Sequence, residues 1–304
     1  MKHLLKMSDL SKEEIISILD LADQLKYEQK NHIPHPLLAG KSLGMIFQKS
    51  STRTRVSFEV GMYQLGGQAL FLSSNDLQIG RGEPVQDTAR VLSRYLDGIM
   101  IRTFAQKEVE DLAAYGSIPV INGLTDYAHP CQVLADLMTI REKYAALEGI
   151  KLCYIGDGNN MANSLIVGGL KMGMKVAVAA PEGYHPDPAV LDFAAGNPDF
   201  LLTGDPALAA ADADVVYTDT WASMGQEKEK AERLKAFAGY QVNEELLKNA
   251  KPGAMVQHCL PAYRGQEITE DVFEAHADEL FEEAENRLHV QKAVLVKLMG
   301  EKQR

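Results

Sequence analysis

The sequence LGMIFQKSSTRTRVSFEV, at residues 43–60, begins with an apolar segment of strand length. A polar stretch follows, and after it the apolar residues recur with the period of a helix. Val56, Val60 and Tyr63 fall on one side of that helix. Short apolar segments follow, with helical patterns between them, at residues 69–72, 98–101 and 118–121. Strands that alternate with helices are typical of βαβ units, so this half of the chain is predicted to form a parallel sheet.

A second alternation begins after a long helical pattern at residues 130–146. Its strand candidates lie at residues 150–155, 176–179, 215–217 and 254–257. The sequence therefore predicts an α/β protein of two domains, each a mostly parallel sheet flanked by helices, joined by interdomain helices. The predicted domains span residues 1–136 and residues 150–284. The C-terminal helix, residues 285–304, could pack against either half and is assigned to the first.

Composition excludes several classes of protein. The net charge of −11 disfavours binding to a nucleic-acid backbone. The three cysteines are odd in number and lack C-x-x-C spacing, which argues against disulfides or a structural zinc site. The longest apolar segments are too short to span a membrane, and no apolar leader stands at the N-terminus. We therefore expect a cytoplasmic protein that binds small molecules, with neither nucleic acid nor membrane as a partner.

The helix start at Ser51, Thr52, Arg53 and Thr54 has the chemistry of an anion site. Helix N-termini carry N–H groups without an intrahelical acceptor, and hydroxyls and a guanidinium add the donors that a phosphate dianion needs. A helix cap with surface arginines would give the same short S-T-R string, so these residues alone do not decide the function.

The longer string S-T-R-T-R-x-S-F-E resembles the signature of the aspartate and ornithine carbamoyltransferases, which move a carbamoyl group from carbamoyl phosphate to an amine. Further blocks follow in the order of that family. They are MIRT at residues 100–103, HPCQ at 129–132, DTWASMG at 219–225 and HCLP at 258–261. One departure is Tyr263, which stands where many relatives carry a histidine after the last block.

The resemblance implies a carbamoyl phosphate site in the first half of the chain. Its residues would be Ser51, Thr52, Arg53, Thr54, Arg102, His129, Gln132 and Arg287, with Cys259, Leu260 and a neighbouring subunit's Gln78. Among these, the resemblance gives catalytic roles to Arg102, His129, Cys259 and Arg287. Arg102 and His129 would then meet the charge that gathers on the carbonyl oxygen in the transition state.

The acceptor site is expected in the second half. The segment GDGNN at residues 156–160 follows a strand, but Asn163 stands where a dinucleotide fingerprint needs its third glycine. The resemblance instead implies that the amino acid is bound by Asn160, Asp219, Ser223 and Met224. The S-M-G string at residues 223–225 resembles the branch of the family that uses ornithine, which implies L-ornithine as the acceptor and citrulline and phosphate as the products.

The same resemblance implies a homotrimer or a multiple of trimers, with no cofactor and no metal. Putrescine or an acylated ornithine as the acceptor, and a catalytically silent binding or regulatory subunit, stay open as alternatives. The physiological direction, arginine synthesis or catabolism of the arginine deiminase type, is open as well. Apart from these motifs, the charge-rich run at residues 226–233 is predicted to form a solvated loop or a helix start.

Overall fold

The structure, a computed structural model, describes residues 1–222 and 227–300. It contains two compact units, the first formed by Met1–Met138 with Asn286–Arg304 and the second by Thr139–Glu285. Among the described helices, none combines the length and the apolar character needed to cross a membrane.

Strands and helices alternate in the first unit as the sequence predicts. The elements are α1 (Lys12–Lys30), β1 (Ser42–Phe47), α2 (Thr52–Gln64), β2 (Gln68–Ser73), α3 (Val85–Leu92), β3 (Gly98–Arg102), α4 (Gln106–Tyr115), β4 (Val120–Leu124) and α5 (Pro130–Tyr144), with 3₁₀ turns at Met7–Asp9 and Gln78–Arg81. All pairings are parallel, and the strand order within the described residues is β2-β1-β3-β4. The fourth strand begins two residues later than predicted, at Val120, because Pro119 has no N–H to donate to a ladder.

The second unit repeats this pattern. Its elements are β5 (Lys151–Ile155), α6 (Asn160–Lys171), β6 (Lys175–Ala179), α7 (Pro188–Ala194), β7 (Phe200–Thr203), α8 (Pro206–Ala210), β8 (Val215–Thr218), α9 (Lys230–Ala236), α10 (Glu244–Leu247), β9 (Met255–His258) and α11 (Glu270–Ala275), with a 3₁₀ turn at Glu227–Glu229. The last helix, α12 (Ala277–Met299), begins in this unit and belongs to the first unit from Asn286 onward. The strand order is β7-β6-β5-β8-β9, again parallel throughout the described residues. The predicted α/β class, with a parallel sheet and flanking helices in each half, is confirmed. The boundaries between the units fall inside α5 and α12.

Two features of the second unit differ from the sequence prediction. Strand β7 was not predicted. It lies half-buried at the edge of the sheet, whereas β8 and β9, which are equally short, are fully buried. The run predicted as a solvated loop or helix start contains the 3₁₀ turn and the start of α9, and its Arg233 is buried against Asp157. The helix start is confirmed at Lys230, and only the solvated interpretation is wrong, for Arg233.

Helix α2 packs through the face opposite Val56, Val60 and Tyr63, which are exposed. Phe58 and Met62 are buried on the inner face, and Gly61 lies against α12. A Cβ atom at Gly61 would come 3.2 Å from Cγ of Lys292, so a glycine here lets the two helices approach closely.

The loop after β5 is tighter still. A Cβ atom at Gly158 would lie 2.2 Å from the backbone carbon of His185 and 2.2 Å from the backbone nitrogen of Pro186. Because backbone atoms cannot move aside as a flexible side chain can, only glycine fits at this position.

We expect Gly158→Ala to lower the free energy of unfolding by about 2 kcal/mol, since overpacking costs about 1–3 kcal/mol and outweighs the entropic gain of replacing glycine. Denaturant unfolding of the variant checks this. Gly204→Ala is the control, because the nearest atom to its Cβ would be 3.8 Å away. Equal unfolding free energies for the two variants would contradict the close approach at Gly158.

Candidate active site

The start of α2 lies directly beyond the carboxyl end of β1. Ser51 is the extended N-cap residue, and its hydroxyl accepts a hydrogen bond from the Thr54 amide at 3.2 Å. Thr52 and Arg53 form the first turn, and no acidic residue stands there. The positive end of the helix dipole and the hydroxyl groups give this turn the character of an anion site.

Arg287, from α12, connects three elements of the first unit. Its guanidinium donates to Thr54 Oγ1 at 2.9 Å and to Gln132 Oε1 at 2.9 Å. Gln132 lies in the first turn of α5 and donates its own amide N–H to Asp136 at 2.8 Å. All four side chains are buried, so the guanidinium is held rigidly beside the start of α2.

Arg102 is the last residue of β3 and is buried. Its carbonyl oxygen accepts from the Gln48 amide at 2.9 Å, which ties the end of β3 to the loop that precedes α2. The next residue of that loop, Lys49, forms an ion pair with Asp126, and its Nζ lies 4.3 Å from the ring centroid of Phe104. The loops after β1, β3 and β4 are thereby joined at one edge of the sheet.

His129 directly precedes α5 and is 4% exposed. Burial lowers the pKa of its imidazole well below the usual value, and the charges of Arg287, Arg102 and Arg53 lower it further. The ring is therefore neutral near neutral pH. A neutral imidazole that feels the charge of three arginines can donate one hydrogen bond while those arginines supply the positive charge.

In the second unit, Asp219 directly follows β8 and is buried. One of its carboxylate oxygens accepts from the Asn159 amide at 2.8 Å. The other accepts from the Thr220 N–H at 2.7 Å and from the thiol of Cys259 at 3.1 Å. Asn159 is also the N-cap of α6. Groups that follow β5, β8 and β9 thus meet at Asp219.

A buried ion pair between Arg233 and Asp157 holds the loop that follows β5. Arg233 donates to Asp157 at 2.8 Å and to the Trp221 carbonyl at 3.0 Å. Burial raises the pKa of Asp157 to about 6, although the neighbouring Arg233 opposes this shift. The Tyr154 hydroxyl donates to the Asp157 carbonyl at 2.8 Å, which fixes the backbone immediately before Asn159.

Asp219, His258 and Cys259 each offer one potential metal-ligand atom, and these atoms lie within 4.8 Å of one another. However, Nδ1 of His258 accepts from the Leu260 N–H at 2.9 Å, and Nε2 contacts Glu267 at 3.1 Å. Binding of a cation by all three residues would therefore require the imidazole to give up one of these bonds.

The predicted site residues fall into two clusters and a remainder. One cluster lies at the edge of the first sheet and contains Ser51, Thr54, Arg102, His129, Gln132 and Arg287. The other lies at the edge of the second sheet and contains Asp219 and Cys259. Asn160 begins α6, Leu260 follows Cys259 with a left-handed φ of 56°, and Gln78 is exposed at the start of a 3₁₀ turn. Ser223 and Met224 lie outside the described residues.

Sequence reasoning missed residues that hold these clusters in place: Lys49, Asp126, Asp157, Asn159, Arg233 and Glu267. Only Asn159 carried a usable signal, because an asparagine immediately before a helix is a preferred N-cap. The Lys49–Asp126 and Asp157–Arg233 pairs join residues far apart in sequence, and Glu267 reaches His258 and Tyr263 through a segment without a regular helix or strand period.

Two family models match the chain one after the other. The model described as aspartate/ornithine carbamoyltransferase, carbamoyl-P binding domain, matches residues 2–142, and the one described as Asp/Orn binding domain matches residues 148–298. A relative from Thermococcus kodakarensis named ornithine carbamoyltransferase is 55% identical, over 98% of this chain and 96% of its own. A solved ornithine carbamoyltransferase from Pyrococcus furiosus superposes with a TM-score of 0.95 at 55% identity, over 99% of this chain and 98% of its own.

We expect His129→Gln to make the protein less sensitive to acid. As the pH falls below 6.5, the ordinary pKa of histidine, the unfolded wild-type chain binds a proton at His129 that the folded chain does not. This difference removes up to about 1.4 kcal/mol of stability per pH unit. The thermal midpoint of the wild type, relative to that of the variant, should therefore fall between pH 7 and pH 5.

Thermal unfolding of both proteins at several pH values measures this difference. His32→Gln, at an exposed histidine, is the control. A gap between wild type and His129→Gln that does not change with pH would contradict the lowered pKa.

Proposed function

This chain belongs to the aspartate/ornithine carbamoyltransferase family, and we propose that it transfers the carbamoyl group of carbamoyl phosphate to the δ-amine of L-ornithine, giving L-citrulline and phosphate. Relatives named for this activity match nearly the whole chain, and one from Pyrococcus furiosus is named anabolic. The observation that carries the proposal is the guanidinium of Arg287, which is held between Thr54 and Gln132 beside the neutral His129.

Carbamoyl phosphate is a dianion, and the start of α2 offers it complementary groups. Ser51, Thr52, Arg53 and Thr54 would bind the phosphate through hydroxyls, helix amides and a guanidinium, as helix N-termini commonly bind phosphate. Arg102 would bridge the phosphate and the carbonyl oxygen. We also assign Gln78 of a neighbouring subunit to this site.

The carbonyl group would be polarised by Arg102, His129 and Thr54. Attack on the carbonyl carbon places negative charge on its oxygen, and donors that are already fixed in position stabilise that charge without reorganising. The buried, neutral imidazole suits this role because it donates a hydrogen bond without becoming charged. The Gln132 oxygen accepts from Arg287, and its second lone pair could accept from the carbamoyl amide.

We assign the acceptor to the second unit. Asp219 would pair with the α-ammonium of ornithine, and its oxygens have acceptor capacity beyond their present bonds. Asn160, Ser223 and Met224 would complete the amino-acid site. Cys259 and the Leu260 carbonyl would lie by the reacting groups.

In the chemical step, the δ-amine must be deprotonated because an ammonium has no lone pair. Its nitrogen forms the new bond to the carbonyl carbon, the bond from that carbon to the phosphate oxygen breaks, and the proton that the amine loses is taken up by the departing phosphate. Cys259 donates its S–H to Asp219, and direct attack by the amine needs no covalent intermediate on the thiol.

The domain assignment follows from these roles. Residues 1–136, completed by the helix at 285–304, form the donor domain, and residues 150–284 form the acceptor domain. We place the enzyme in the cytoplasm, in arginine synthesis or in catabolism of the arginine deiminase type. Kinetics in both directions, with ornithine, carbamoyl phosphate, citrulline and phosphate varied, would distinguish the two.

We further propose a homotrimer, or a multiple of trimers. Val56, Val60 and Tyr63 form an exposed apolar face on α2, and Leu70 and Phe71 are exposed on β2. Within the described residues strand β2 is an edge strand, so its outer side has backbone groups without a strand partner there. Gln78 follows β2, which agrees with its assignment to a neighbour's site. A second copy of the chain is the occupant that we assign to this face.

Two alternatives have their own tests. Assays with putrescine and acylated ornithines in place of ornithine decide the acceptor. A catalytically silent binding or regulatory subunit would form no citrulline at all.

If the first unit binds the donor and the second binds the acceptor, substitutions in the two units should affect the KM values of different substrates. Arg53→Ala should raise KM for carbamoyl phosphate about tenfold or more and leave KM for ornithine nearly unchanged, because no other group replaces that guanidinium. Asp219→Asn should raise KM for ornithine and leave KM for carbamoyl phosphate nearly unchanged, because the α-ammonium of ornithine loses its counter-charge. Steady-state citrulline formation with each substrate varied measures both.

Arg90→Ala is the control, since Arg90 is exposed in the first unit. Equal damage to both substrates by either site variant would contradict the separate donor and acceptor assignments.

Sedimentation equilibrium tests the assembly. Wild type should have the mass of a trimer or a multiple of it, and Tyr63→Asp should dissociate because a charge is placed within the apolar face. Phe193→Asp, at an exposed residue of α7, should remain assembled. A monomeric wild type would overturn the assembly, and an intact Tyr63→Asp trimer would overturn the choice of face.

A further inference from the structure

His258, the last residue of β9, is 1% exposed and has both ring nitrogens engaged. Nδ1 lies 2.9 Å from the backbone nitrogen of Leu260, and Nε2 lies 3.1 Å from Glu267 Oε1. A backbone N–H can only donate, so Nδ1 must accept. The proton of the neutral ring is therefore on Nε2 and points at Glu267.

Glu267 contacts the same segment at a second point. Its carboxylate is fully buried, and Oε1 also accepts from the Tyr263 N–H at 2.5 Å. The other oxygen, Oε2, is buried and has no hydrogen-bond partner among the described residues, so Oε1 makes both contacts. One oxygen atom thus joins the imidazole of His258 to the backbone five residues further on.

These contacts surround a residue with an unfavourable conformation. Leu260 has a φ of 56°, in the left-handed region that side chains with a Cβ rarely adopt, at a cost of about 1 kcal/mol or more. Its N–H belongs to the peptide group that joins Cys259 to Leu260. The bond to His258 therefore fixes the plane of that peptide and, with it, the direction of the Cys259 side chain.

We infer that His258 and Glu267 are positioning residues for the acceptor half of the reaction. Glu267 selects the imidazole tautomer with its proton on Nε2, and Nδ1 then holds the Cys259–Leu260 peptide. The thiol of Cys259 stays on Asp219, and the Leu260 carbonyl keeps its place. This inference rests on the proposed function, which gives Cys259 and Leu260 their part in the reaction.

Variants at residue 258 separate positioning from simple packing. His258→Asn places an amide oxygen close to where Nδ1 lies, so the Leu260 N–H keeps an acceptor. His258→Leu fills similar space and removes it. We expect His258→Leu to lower kcat about tenfold or more and His258→Asn to stay within about threefold of wild type, with carbamoyl phosphate affinity unchanged in both.

Glu267 is tested in the same way. Glu267→Gln retains an oxygen that can accept from both N–H groups, whereas Glu267→Ala removes it. We expect Glu267→Ala to resemble His258→Leu and Glu267→Gln to keep most of the activity. His276→Asn is the control, because His276 forms another histidine–glutamate pair in this unit, with Glu279 at 2.8 Å. It should leave both kinetic constants unchanged.

Cys259 itself provides a second measurement that does not require turnover. Cys131 and Cys153 are fully buried, and burial raises the pKa of each thiol to about 12, so neither should react with iodoacetamide near neutral pH. Alkylation of the folded protein therefore reports on Cys259. We expect the rate to rise about threefold or more in His258→Leu, because the thiol is released from Asp219, and to stay near the wild-type rate in His258→Asn.

The outcomes are distinct. Equal kcat for the Leu and Asn variants, or an unchanged alkylation rate in His258→Leu despite lost activity, would overturn the positioning role. If His258→Leu does not fold, His258→Gln replaces it, since its amide extends toward the Nε2 position and leaves Leu260 without an acceptor. A wild-type protein that forms no citrulline would overturn the proposed function, and the alkylation rates would still decide the positioning role.

Discussion

Parallel strand pairing is the constraint on which both candidate half-sites depend. In a parallel sheet all strands end at the same edge, so the residues that follow them are brought together however far apart they are in sequence. Ser51 follows β1, Arg102 ends β3 and His129 follows β4; Asn159 follows β5, Asp219 follows β8 and Cys259 follows β9. Each sheet uses this edge for its polar side chains.

Strand order adds a second constraint. In the first sheet the chain passes from β1 to β2 on one side and then continues through β3 and β4 on the other. In the second, it passes from β5 outward to β7 and then returns to β8 beside β5. Loops diverge where the order reverses and leave a crevice beyond the strand ends. The clusters around Arg102 and around Asp219 both lie at such a reversal.

The two clusters differ in the sign of the charge that they hold. In the first, arginines and a helix start gather positive charge, and burial keeps the His129 ring neutral. In the second, the Asp219 carboxylate is stabilised by three neighbouring donors and remains available to a cation. Polar groups that are already fixed by the fold need not reorganise when charge develops in a reaction.

The sequence by itself determined the α/β class, most strand positions and the identity of the motif residues, because these depend on local periodicity and on short contiguous strings. Only the tertiary structure decided the order of the strands, the edge strand β7, the placement of Arg287 against Thr54 and Gln132, and the contacts of Asn159, Arg233 and Glu267. The contacts of Arg287, Asn159 and Arg233 join residues far apart in the chain, and no local pattern records which distant side chain will satisfy a buried charge. Glu267 lies only four and nine residues from its partners, but the segment between them has no helical or strand period that would predict the contacts.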